Sequence, residues 1–135
     1  MSLRQVFFFI CLIGLFSCSK EKSPEQTAES VKSSLTSGVT KTWALKKLFV
    51  NGTQSTLTPG QALYTKTYKA DNTWLDSDGY AGTYTVPSPT LIIEITTNLP
   101  AGNRNDTYTI KSISVTSLEV EYTVSSTTYR LVFGL

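Results

Sequence analysis

Ser117-Leu118-Glu119-Val120-Glu121-Tyr122-Thr123-Val124 alternates polar and apolar side chains without a break. A period of two places Leu118, Val120 and Tyr122 on one side of an extended chain and Glu119 and Glu121 on the other, as in a strand with one buried face. The same texture reaches back to about Lys41. It is rich in Thr, Tyr, Val and Ile and broken by Gly, Pro and Asn.

This patterning predicts eight strands: Thr42–Val50, Ala62–Ala70, Thr73–Leu75, Tyr80–Val86, Leu91–Thr97, Thr107–Ser114, Ser117–Val124 and Thr127–Phe133. Asn51-Gly52 and Asp71-Asn72 fall where tight turns are needed, and Pro87-Ser88-Pro89 interrupts pairing before the most apolar strand. About ninety-five residues divided this way leave no helix for a parallel crossover, so neighbouring strands pair antiparallel as a meander. The expected fold is all-β, an antiparallel eight-stranded barrel with a short N-terminal helix. Alternation assigns Trp43, Leu45, Tyr68, Trp74, Tyr84, Val86, Ile93, Ile110, Leu118, Val120, Tyr122, Leu131 and Phe133 to the inward face. Eight strands enclose a space that side chains fill or that holds one small ligand. Filling is the expectation here, because the strands are short and the aromatics many. Were a cavity present, Trp43, Tyr68, Trp74, Tyr84 and Tyr122 would line it.

The chain opens with Arg4 ahead of an apolar run, Val6 to Phe16, ending at Leu15-Phe16-Ser17-Cys18. A basic start, a short apolar stretch and a small residue before the cut are what a signal peptide requires. The run is too short to span a hydrocarbon core of about 30 Å as a helix. The cysteine marks residues 1–17 as a lipoprotein signal and Cys18 as the lipidation site. Cys11 leaves with the signal, so Cys18 is the single cysteine of the mature chain and no internal disulfide can form. Residues 18–26, charged and polar, are expected to be a flexible tether. Residues 27–135 form the domain. Ala28, Val31 and Leu35 recur at helical spacing, with Thr27 placed to cap the start and Gly38 to end it. So short a helix persists only if its Val31–Leu35 stripe packs on the domain.

No histidine occurs in the chain, which removes Ser-His and Cys-His catalysis and imidazole-ligated metal sites. Asp76-Ser77-Asp78-Gly79 lacks the remaining ligands of a calcium loop and reads as a hairpin turn. Glu119 and Glu121 point outward together on one strand, whereas a glycosidase pair faces itself across a cleft. No glycine-rich segment has phosphate-binding spacing. The expectation is a protein that is no enzyme and carries no cofactor or metal. Without residues 1–17, eleven basic and ten acidic residues remain, and no basic stripe offers a nucleic-acid surface. Lys41, Lys46 and Lys47 read as surface lysines.

Trp43-Ala44-Leu45, Tyr68-Lys69-Ala70-Asp71-Asn72-Thr73-Trp74, Ala81-Gly82-Thr83-Tyr84-Thr85-Val86 and Leu91-Ile92-Ile93 together resemble the small lipocalin-like lipoproteins of Bacteroidetes. Tyr108-Thr109-Ile110, Ser117-Leu118-Glu119-Val120 and Tyr129-Arg130-Leu131-Val132-Phe133 extend the resemblance over nearly all of the mature domain. Asn72 and Tyr84 stand where those proteins usually carry Gly and Trp. Lys41 replaces the glycine two before the first Trp of the transport lipocalins, a departure from their pattern, and the resemblance by itself assigns no activity. The resemblance implies the barrel and an address: acylation at Cys18 and anchoring in the bacterial outer membrane, on its periplasmic side or at the cell surface. The expected function is a monomeric envelope module that binds a small apolar ligand or a surface partner. The alternative is an assembly or enzyme-inhibitor protein with a filled barrel, acting through its outer face and loops. Asn98, Arg104 and Asn105 in the longest irregular segment are the first candidates for recognition, since scaffolded loops carry recognition most often.

Overall fold

The computed structural model describes residues 25–135. The expected signal peptide, Cys18 and most of the expected tether lie outside the described residues. Within them, helix α1 (Ala28–Thr36) precedes β1 (Thr40–Val50), β2 (Thr53–Ser55), α2 (Pro59–Ala62), β3 (Thr65–Lys69), β4 (Thr73–Asp76), β5 (Ala81–Ser88), β6 (Leu91–Thr96), β7 (Arg104–Ile113), β8 (Ser117–Val124) and β9 (Thr127–Gly134). Strands β1 and β3 to β9 pair in sequence order, all antiparallel, and β9 returns to β1. The result is the closed antiparallel eight-stranded barrel with a short N-terminal helix that the patterning predicts.

Turn chemistry explains the sequential pairing. Asn51 and Gly52, at φ 49° and 82°, connect β1 to β2, and Asn72, at φ 68°, connects β3 to β4. Positive φ at both central residues suits the twist of a two-residue hairpin. The short strand β2 was not expected; it lies outside the closed ring and pairs with β1 at Leu48 to Val50. Residues 62–64, expected to open a strand, instead end α2 and lead out of it, and β3 starts at Thr65. Thr58 caps α2 with a reciprocal bond to Gln61, and Pro59 takes its first position, where a missing N–H costs nothing.

Bulges let the strands close. Register shifts occur in β1 between Leu45 and Lys47, in β5 between Thr85 and Ser88, and in β7 between Ile110 and Ser112. Each adds a residue to one strand and sharpens its bend. The β1 bulge also flips side-chain parity, which buries Leu48 and leaves Lys47 exposed. Gly82 marks the tightest approach: a Cβ there would lie 1.8 Å from the carbonyl oxygen of Ile95 on β6.

Helix α1 closes one end of the barrel. Thr27 caps it through Ser30, and Ser37 and Gly38 end it at φ 52° and 79°. Val31 and Leu35 are fully buried against a core of Trp43, Leu45, Tyr68, Trp74, Tyr84, Ile92, Ile110, Leu118, Val120 and Phe133. Trp43 Nε1 donates to the Leu35 carbonyl at 2.9 Å. Lys41 is no surface lysine. It is buried, with Nζ donating to the carbonyls of Ser34 at 2.9 Å and Val115 at 2.7 Å and lying 4.4 Å from the centroid of the Trp43 ring. A cation on the last-turn carbonyls of α1 opposes the negative end of the helix dipole. Loss of solvent lowers the Lys41 pKa.

One strand faces the other way from the expectation. In β6, Ile92, Glu94 and Thr96 are fully buried, and Leu91, Ile93 and Ile95 point outward, half-buried. Ile93 therefore leaves the predicted inward set and Ile92 replaces it. The more apolar face of β6 lost because Glu94 finds a cation inside the barrel.

Candidate functional site

Lys66 on β3 precedes Tyr68 by two residues and shares its inward parity; Asp76 on β4 follows Trp74 in the same way. Both charged side chains are carried into the interior by strands whose aromatic residues belong to the core. Glu94 on β6 meets Lys66 across the barrel, Nζ to Oε2 at 2.8 Å, with the two side chains 6% and 0% exposed. Tyr68 donates its hydroxyl to the other carboxylate oxygen, Oε1. Lys66 Nζ also lies 3.5 Å from the Tyr108 hydroxyl oxygen, 4.7 Å from the Trp74 ring centroid and 4.8 Å from that of Tyr108. The ammonium thus exchanges its hydration for a carboxylate, a hydroxyl and two ring faces.

Beside this pair, Asp76 accepts from the Tyr64 hydroxyl at 3.1 Å and from the backbone N–H groups of Asp78 and Tyr80, both at 3.0 Å. The segment read as a hairpin turn is one, and Asp76 is the carboxylate that holds it. Thr96, two residues beyond Glu94 on the same face, has a buried hydroxyl with no hydrogen-bond partner among the described residues.

The cluster lies toward the end opposite α1, where residues 51–64 (with β2 and α2), 77–80, 97–103 and 125–126 connect the strands. Tyr64, Tyr108, Tyr122 and Tyr129 are half-buried at this mouth. The Tyr108 and Tyr122 rings meet edge to face at 5.4 Å, and Tyr122 stacks on Tyr129 at 5.2 Å. Burial is the first cause that raises the pKa of Tyr64, Tyr68, Tyr108 and Tyr122. For Tyr64, Asp76 adds to it, and for Tyr68 and Tyr108, Glu94 does. At the rim, Arg104 donates to Asp106 at 2.8 Å and sits 5.6 Å from the Tyr80 ring centroid.

The predicted site residues divide between two regions. Trp43, Tyr68, Trp74 and Tyr84 are all 3% exposed or less and pack with the core, so they occupy the barrel. Tyr68 and Tyr84 meet edge to face at 5.0 Å, and Tyr84 donates to the Lys69 carbonyl at 2.8 Å. Tyr122 belongs to the mouth. Asn98 spends its side chain on structure: Oδ1 accepts from Ala81 N at 3.0 Å, and Nδ2 donates to the Gly79 carbonyl at 2.8 Å. Arg104 and Asn105 open β7 and do not lie in the loop. A depression of about 220 Å³ lies outside the barrel, beside α1, and none of the predicted cavity residues lines it.

Alternation missed Lys66, Glu94, Asp76 and Thr96. The available signal was parity, since Lys66 and Asp76 each lie two residues from an aromatic already assigned inward. Two inward charges of opposite sign demand partners.

Among the described residues no three His, Cys, Asp or Glu side chains gather as for a metal ion, and no helix is long and apolar enough to cross a membrane. No protein-family model, curated protein or solved structure matches this chain.

Proposed function

We propose that this chain is a binding module of the bacterial outer membrane, anchored through lipid on Cys18, which takes a small amphipathic molecule at the tyrosine-lined mouth opposite α1. The observation that carries the reading is the Lys66–Glu94 pair buried beneath that mouth. Desolvating two charges costs more than their attraction reliably returns, and apolar residues of the same volume commonly serve stability as well or better. A pair retained in such a place fits a polar task. Tyrosine rings offer flat apolar contact with a hydroxyl at one edge, suited to a ligand with an apolar body and a polar group. The unpartnered Thr96 hydroxyl adds one more polar group on the same inward face.

Thermal unfolding in the presence of haem, fatty acids, bile acids and glycans tests the mouth. A ligand that binds only the folded state at about a hundred times its Kd adds roughly 2.7 kcal/mol and raises the midpoint. Tyr122→Ala should abolish the rise. Failure of every ligand class to move the midpoint would sink the reading. The anchor is tested separately: Cys18→Ser should lose incorporation of a fatty-acid analogue and pass to the soluble fraction.

A second reading has its own observation. Leu91, Ile93 and Ile95 form an outward apolar row on β6, flanked by Thr83 and Thr85 on β5 and by Asn105, Thr107 and Thr109 on β7. Such a row suits a protein partner on the outer wall, the assembly or inhibitor role. Ile93→Lys would then abolish function while leaving ligand shifts at the mouth intact.

A further inference from the structure

Val39, Val115 and Leu135 are 73%, 71% and 62% exposed, and all three lie at the α1 end. Specific contacts fix each of them at this end. Lys41 Nζ bridges the last turn of α1 at Ser34 to the β7–β8 turn at Val115. Val39 joins α1 to β1, with its N–H donating to the Thr36 carbonyl at 3.2 Å. Leu135 follows Gly134, which pairs with Ser117 and lies against the Lys46 methylenes and the Thr116 carbonyl.

Cations border these residues. Lys46 flanks Gly134, Lys69 pairs opposite Thr40, and Lys32 shares a surface depression with Gly38. The described carboxylates nearest this end are Glu25 just ahead of the Thr27 cap, Glu29 on α1 and Asp71 in the β3–β4 turn, the last engaged by Thr73 through both N–H and hydroxyl.

We infer that this end of the barrel rests on the lipid bilayer through Val39, Val115 and Leu135, so that the tyrosine mouth faces away from the membrane. The inference depends on the anchor at Cys18. Eight residues lie between Cys18 and the Thr27 cap, and the nine chain steps reach at most roughly 30 Å. The chain enters the fold at α1, so the anchor holds this end close to the headgroups. Isolated exposed valines are ordinary on a protein surface and bind membranes weakly. Tethering changes the outcome because the local lipid concentration becomes high, and a patch too weak to recruit a free domain can still orient an anchored one. Apolar tips ringed by lysines match the interface between headgroups and acyl chains.

The test uses the full lipidated chain in vesicles of phosphatidylcholine and phosphatidylglycerol with brominated acyl chains. Val115→Cys, Val124→Cys and Leu63→Cys are each labelled with a fluorophore, and mass spectrometry verifies the acyl groups on Cys18. Val124 and Leu63 are exposed apolar residues at the opposite end. Quenching at position 115 should exceed that at 124 and 63 by about threefold or more. Val39→Asp in the Val115→Cys background should remove most of that difference while the chain stays on the vesicles. Equal quenching at all three positions in an acylated chain overturns the orientation alone. A mature chain without the acyl mass overturns the anchor and the orientation with it.

Discussion

Lys66 and Glu94 show what a buried charge requires of its surroundings. Each alone would be untenable in a barrel interior, and each is made tolerable by the other, by Tyr68 and by the rings of Trp74 and Tyr108. Lys66→Met should therefore cost about 3–5 kcal/mol, because Glu94 is left buried and unpaired. The double change Lys66→Met with Glu94→Leu should recover most of that loss, and denaturant midpoints measure both. If the double variant is no more stable than the single one, the pair is a net stabiliser and the argument for a polar task fails. The tyrosines make a second prediction at this scale. Burial, aided by the charge of Asp71, pushes the Tyr84 pKa up to about 12, and Tyr64, Tyr68, Tyr108 and Tyr122 are also raised. An unfolded tyrosine ionises near pH 10, so the folded state holds these protons longer. Their stabilising contribution is complete below about pH 10 and declines as pH climbs through the raised values. Absorbance at alkaline pH should show delayed ionisation that is released together with unfolding. Normal titration of all the tyrosines in a folded chain would contradict their burial.

β6 carries the most consequential choice of any element. Its two faces, Leu91-Ile93-Ile95 and Ile92-Glu94-Thr96, compete for the interior, and hydropathy alone favours the first. Substituting lysine on each side discriminates between them. Ile92→Lys should cost on the order of 3–5 kcal/mol by placing an unpaired charge in the core, whereas Ile93→Lys on the outer wall should cost about 1 kcal/mol or less. The reverse ranking in unfolding experiments would invert the strand. α1 follows a different logic. Its local signals, the Thr27 cap and the Gly38 stop, are legible in the chain, yet nine residues make a marginal helix by themselves. Val31, Leu35, the Trp43 hydrogen bond and Lys41 on its last carbonyls hold it against the barrel.

At the scale of the whole molecule, closure is the demanding step. β1 and β9 pair from Ala44 with Gly134 to Val50 with Tyr129, joining opposite ends of the domain. Long-range pairing of this kind places folding in the range of roughly milliseconds to seconds. Stopped-flow refolding of residues 27–135 should show that rate, and complete refolding within microseconds would remove closure from the transition state. Most of the architecture was legible in the chain, since alternation, Asn-Gly and Asp-Asn turns and helix caps act over a few residues and need no distant partner. Eight strands, their antiparallel order, the helix and the core aromatics Trp43, Tyr68, Trp74 and Tyr84 follow from such local physics. Lys41, Lys66, Asp76, Glu94 and Thr96 do not. Hydropathy sends a charge outward unless something inside replaces its water, and the replacement for Glu94 lies 28 residues away on β3. The β1 bulge that buries Leu48 is likewise set by the demands of closing the ring. Only the assembled barrel brings these groups together, so only the tertiary structure decides which face of β6 turns inward and where the polar site lies.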